Sequence, residues 1–208
     1  MNIDKLREAE SIFLQRYPGG FENEDMQHIG KKHNVNKLSE FAATALTKKS
    51  FNNQGQVLED ITKIVTRSSM ISMFEKPKFR DFVKGLNQLD RELLSQGFYK
   101  MIHGKKEKGF NDVLDILREA KLAKWSLISI CPHHYRPQHD VFVKPTTTKN
   151  VIRQFELTHL TYSPKPSWSF YVDYREVITE MKAMLDPSLS PNNAAFTGFL
   201  MMTTAVDQ

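Results

Sequence analysis

From Ile3 to Leu122 the apolar side chains recur at intervals of three and four, the spacing that lines them along one face of an α-helix. A chain with this rhythm has to bury a stripe of each helix against its neighbours, so the pattern predicts a helical bundle over 1–124. Ile3, Leu6, Ala9 and Phe13 open the series, and Tyr17-Pro18-Gly19-Gly20 closes the first helix. Asn23 is placed to cap a second helix with Met26 and Ile29, His33–Asn36 reads as a turn, and Leu38, Phe41, Ala42 and Leu46 mark a third. Phe51–Gly55 reads as a loop before a stripe of Val57, Ile61, Ile64 and Val65. Pro77 opens what reads as the longest helix, with Phe79, Phe82, Val83, Leu86, Leu89, Leu93 and Phe98 on one face as far as His103-Gly104. Phe110, Val113, Leu114 and Leu117 supply one more helix.

The rhythm breaks at Trp125. Trp125–Ile130 is a short apolar run of which Leu127–Ile130 reads as a strand, and Cys131–Asp140 reads as an irregular loop rich in imidazoles. Val141–Val143 alternates as a second short strand that Pro145 ends, and a threonine of Thr146–Thr148 caps a helix to Glu156. Ser167–Phe170 reads as extended, with a helix from about Asp173 through Leu185. The apolar tail Ala194–Val206 has no clear period, which leaves both strand and helix open. It reads as core or, through Phe196–Met202, as a patch for a protein partner. The expected fold is therefore mainly α (α+β), a helical region over 1–124 and a mixed α/β region over 125–208 packed on it, or the two as one single domain.

The single cysteine excludes an internal disulfide framework and fits a reducing interior. Neither a membrane-length apolar run nor the charge-then-apolar order of a secretory signal is visible, so a cytoplasmic protein is expected. The net charge of +5 is unevenly spread: residues 70–124 hold 12 basic and 8 acidic side chains, against 10 and 9 before them and 7 and 7 after. The excess is densest at Lys100, Lys105, Lys106 and Lys108, which suits a polyanion or simply a solvated face. Tyr135, Arg136 and Lys144 would add a stacking ring and local cations for nucleic acid.

Cys131, His133, His134 and His139 are the one metal-like cluster, since thiolate and imidazole are zinc donors. Their spacing matches no paired-ligand motif, and the adjacent histidines diverge. Residues 26–46 have the length of a helix-turn-helix, with Lys37, Ser39 and Glu40 as its reading set. Phosphate loops, dinucleotide fingerprints and a serine elbow are absent, and no cofactor is implied. Glu119/Lys121 and Glu180/Lys182 have a nuclease-like E-x-K spacing, but two residues apart on a helix they point in different directions.

Trp125 with its apolar run, Phe142–Pro145 with Thr148-Lys149, and Tyr162, Pro166 and Trp168 together resemble a C-terminal segment of uncharacterised bacterial proteins, some encoded near restriction or defence genes. The resemblance covers about residues 125–185 and implies a bacterial protein working near nucleic acid, with no catalytic residue carried over. The expected function is a non-enzymatic binding or accessory protein whose partner is nucleic acid or a nucleic-acid-processing protein. The rival expectation is a metal-dependent hydrolase built on the histidine-rich segment.

Overall fold

The computed structural model describes residues 1–204, and its regular elements are all helical. Eleven α-helices follow in order: α1 (Ile3–Arg16), α2 (Glu24–His33), α3 (Val35–Ala45), α4 (Gln54–Arg67), α5 (Glu75–Gly85), α6 (Gln88–His103), α7 (Lys106–Glu119), α8 (Trp125–Tyr135), α9 (Pro145–Gln154), α10 (Trp168–Met184) and α11 (Asn193–Thr204). Short 3-10 turns at Gly20–Glu22, Ser50–Asn52 and Pro187–Leu189 link them. Asparagine side chains start four helices, with Asn2, Asn23, Asn53 and Asn87 accepting backbone N–H groups. Among the described residues no helix is long and apolar enough to cross a membrane.

The centre of the molecule is α8, the segment whose sequence reads as strand and loop. Every residue from Trp125 to His134 is buried. A helix covered on all sides carries no wet face and so no amphipathic period, which is why its six-residue apolar start imitates a strand. The small β element is therefore not formed: Val141–Val143 is buried, but among the described residues no strand is present. Ser129 explains its path, donating to the Trp125 carbonyl (2.7 Å) and accepting the Val143 N–H (3.1 Å). Pro132 lies inside α8, where it cannot donate to Ile128, and the helix ends one turn later.

Packing crosses the boundary expected at residue 124. α8 lies against α3 and α4, and α11 against α1 and α9. One apolar core runs from Leu6 to Leu200. The Asn2 N–H also donates to the Phe155 carbonyl (2.8 Å), which ties the start of the chain to the end of α9.

Other expectations need correction. The long helix expected from Pro77 to His103 is two, because Leu86 is extended and Asn87 caps a new helix by accepting the Asp90 N–H. Leu89 and Leu93 match the apolar register only by coincidence, being 64% and 45% exposed. Helix α9 begins with Pro145 and has no threonine cap, and α10 begins at Trp168 where an extended segment was expected. The tail is helix α11, with Phe196, Phe199 and Leu200 in the core and Met201 exposed; Ala205 and Val206 lie outside the described residues. In the helix-turn-helix segment, Asn34 takes a left-handed conformation between α2 and α3. Helix α3 is docked on α8 through Leu38, Ala42 and Ser39, whose hydroxyl bonds the His134 ring, so it is not a free reading helix.

The tightest contact in the bundle joins α6 and α7. A Cβ on Gly109 would stand 2.1 Å from the Met101 nitrogen and 2.6 Å from the Gly97 carbonyl oxygen. A Cβ on Gly97 would stand 2.8 Å from a Val113 methyl. Backbone meets backbone here, so no side chain can move aside to make room. We expect Gly109→Ala to destabilise the protein by about 3 kcal/mol in urea unfolding, as overpacking does. Gly30→Ala, which meets nothing within 4 Å on helix α2, should instead stabilise by about 0.5–1 kcal/mol.

Candidate functional site

The turn between α6 and α7 brings the lysine cluster beside the end of α8. Lys100 and Lys108 reach the same carboxylate, Asp112, at 2.8 and 3.0 Å, and so hold its pKa below the usual range. Lys105 and Lys106 open α7; both are exposed, and among the described residues neither is in an ion pair. Arg136, just past the end of α8, crosses to this turn and donates through Nη1 to the Ile102 carbonyl (3.1 Å). Lys105, Lys106 and Arg136 therefore share one corner of the molecule.

Asp140 is the anchor of that corner. Its buried carboxylate accepts Arg136 Nε (2.5 Å) and the Tyr171 hydroxyl (3.1 Å), with Arg175 Nη1 at 3.6 Å. Its backbone carbonyl accepts the Asn193 amide (3.0 Å) and His133 Nδ1–H (3.2 Å). Lys106 stands close enough to feel all three charges: its pKa is lowered by partial burial first, then by Arg136, against a raising pull from Asp140. Three cations thus surround one carboxylate. The void among Lys106, Arg136, Asp140, Trp168 and Tyr171 is only about 10 Å³, so this cluster is a packed support rather than a ligand cavity.

An aromatic patch adjoins the cations. The His103 ring lies 5.6 Å from Tyr99, 5.8 Å from Phe51 and 5.2 Å from Tyr135, and Phe51 lies 5.5 Å from Tyr99. His103 Nε2–H donates to the Leu46 carbonyl (2.7 Å), which fixes the ring at the middle of the patch. Partial burial lowers its pKa, and the charges of Lys48 and Arg136 lower it further. The imidazole is thus neutral at neutral pH, and the positive potential comes from lysine and arginine.

The metal-like set does not converge. Cys131, His133 and His134 occupy successive directions around α8 inside the core, and His139 is exposed beyond its end. Burial pushes the Cys131 thiol up, so it is held as the neutral thiol. Burial also lowers His133 to about 4 and His134 to about 3. The two rings, 5.2 Å apart, are structural: His134 pairs with the Ser39 and Ser68 hydroxyls at 3.2 and 3.5 Å, and His133 is held by Asp140. His133 Nε2 is a buried acceptor without a partner. Among the described residues no three His, Cys, Asp or Glu side chains are grouped to hold a metal ion. Lys144 also stands apart from the lysine corner, its Nζ reaching the Met201 sulfur on α11.

Of the candidates read from sequence, the structure brings together Lys100, Lys105, Lys106, Lys108, Tyr135 and Arg136. It adds Arg175, Tyr99, His103, Phe51 and Lys48, which no motif marks. Only two spacings hint at the anchor, Arg136 to Asp140 and Tyr171 to Arg175, each four residues apart. Comparison with known proteins found no matching family model, and no curated protein or solved structure similar to the chain.

The buried histidine pair makes stability depend on pH. Both folded-state values lie below the ordinary 6.5, so the unfolded chain binds more protons between pH 6.5 and 4. Their full contribution is present above pH 6.5 and is lost as pH falls toward the folded values. Between pH 7 and pH 5 the loss should be about 2 kcal/mol for each histidine, read by urea unfolding. In His134→Gln this pH-dependent loss should shrink by about half. An identical pH dependence in both proteins would contradict the assignment.

Proposed function

We propose that this protein is a non-enzymatic binding or accessory protein of the bacterial cytoplasm that contacts nucleic acid through the corner formed by α6, α7 and α8. The observation that carries the reading is the start of α7. This helix has no side-chain cap on its first N–H groups, and its first residues are Lys105, Lys106 and Lys108 with Glu107 as the one acid. Cations at a helix N-terminus oppose the helix dipole, at about 0.3–1 kcal/mol each when exposed. A stability-driven sequence places Asp or Ser there instead. Free N–H groups and added lysines together are the chemistry of phosphate contact. Departures from a local stability rule are expected where function sets the residue.

The neighbouring side chains support the same reading. Arg136 and Arg175 extend the positive field, held in place by Asp140 rather than cancelled by it. Tyr135 and Tyr99 offer apolar ring surface among these cations. A partner enzyme already bound to nucleic acid would present its polyanion to the same corner.

Fluorescence anisotropy with labelled DNA and RNA across a salt series tests this. Binding should weaken linearly in a log–log plot. Changing Lys105 and Lys106 together to Glu should cost roughly tenfold or more in affinity and flatten the slope by about 1.4 if both touch phosphate of a single strand. The protein should stay folded, because the cation lost beside Asp140 leaves Arg136 and Arg175 on that carboxylate and acids are favoured at the start of a helix; a melting scan checks this. Lys31→Glu on α2, equally exposed, should leave binding unchanged. Unaltered affinity in the Lys105/Lys106 variant would sink the proposal.

A further inference from the structure

We infer that the nucleic acid this corner takes is single-stranded, with unstacked bases lying on the Tyr99 patch and the chain continuing toward Lys48 and Lys49; this rests on the nucleic-acid reading above. In a duplex the base faces are hidden against one another, so a ring exposed among cations gives little to a double helix. For a single strand the same ring is a stacking platform, tolerant of sequence because every base has a π-face. Tyr99 is 37% exposed, and half-buried Phe51 and His103 hold its orientation in edge-on and tilted contacts, with Tyr135 packed in turn on His103.

Charge is arranged on both sides of this patch. Lys48 follows Leu46, whose carbonyl holds the His103 ring, and Arg136 follows Tyr135, whose ring packs on His103 from α8, so the cations come from two different segments. A backbone crossing the patch therefore meets phosphate contacts before and after the rings. Next to it, the turn that carries Phe51 borders an open cleft of about 450 Å³ lined by Phe41, Lys49, Asn52 and Gln56, a size suited to a small organic group such as a nucleotide unit. Its polar edges include the amides of Asn52 and Asn53, groups of the kind that read base edges in single strands, beside an Asp60 carboxylate that Gln56 and Lys63 already engage. Helix α3 is not free to enter a major groove, since it is held against α8 and α4. Lys49 and Phe51 share one turn, whereas Tyr99 is on α6 and Tyr135 on α8, which is why no single stretch of sequence displays the patch.

The test compares a labelled thymidine oligonucleotide with a hairpin duplex of equal charge, by anisotropy, using the full chain, Tyr99→Phe and Tyr99→Ala. The single strand should bind at least about tenfold tighter than the duplex. Tyr99→Ala should lose about fivefold or more on the single strand with an unchanged salt slope, and Tyr99→Phe, which keeps the ring, should bind like the parent. Melting of the three proteins checks that the fold is retained. A duplex bound as tightly as the single strand, or a Tyr99→Ala variant that binds normally, overturns the single-strand assignment while leaving the basic-corner reading standing. Absence of salt-sensitive binding to either probe overturns both.

Discussion

The arrangement of this molecule depends on one backbone contact, Gly109 of α7 lying directly on Lys100–Met101 and Gly97 of α6. Side chains would force the two helices apart by their own thickness. With two glycines facing the contact, the helices close over a turn of only Gly104 and Lys105. That short turn is why the C-terminal turn of α6 and the N-terminal turn of α7 point their polar ends the same way. It gathers cations that a longer loop would scatter, and Asp112 accepts the two nearest, Lys100 and Lys108. Lys105 and Lys106 are left facing solvent.

A second constraint holds α8 against this turn. Asp140 is a buried carboxylate, and it is tolerable only because Arg136, Arg175 and Tyr171 surround it. Withdrawing one side of such a cluster typically costs about 3–5 kcal/mol, since the other side is left without compensation. The arrangement favours geometry over stability. It fixes where two arginines sit, it bonds Asn193 at the start of α11, and through His133 it fixes the end of α8. Three segments, the end of α8 with the stretch after it, α10 and the start of α11, thus meet at one residue.

Helices with a wet face were legible in the sequence because their periodicity survives. Leu6, Ala9 and Phe13 on α1, Val57, Ile61 and Ile64 on α4, and Phe110, Val113 and Leu117 on α7 are buried as their spacing requires. Helix α8 was not legible, since complete burial erases the period and Pro132 argues locally against a helix. The break at Leu86–Asn87 had a visible signal, a glycine followed by an asparagine cap, which the continuing leucine register masked. The candidate corner was half legible. Its charge excess is a property of composition, whereas Tyr99, Phe51 and Arg175 join it only through contacts between distant segments.

Ultraviolet cross-linking of the full chain to a single-stranded oligonucleotide, with the attached peptides located by mass spectrometry, tests the basic corner most directly. Adducts should concentrate on Tyr99, Tyr135 and the peptides bearing Lys105 and Lys106, and should fade as salt rises. Adducts spread over the surface, or confined to α1, α2 or α11, would show that the charge gathered by the Gly109 contact is not where nucleic acid binds.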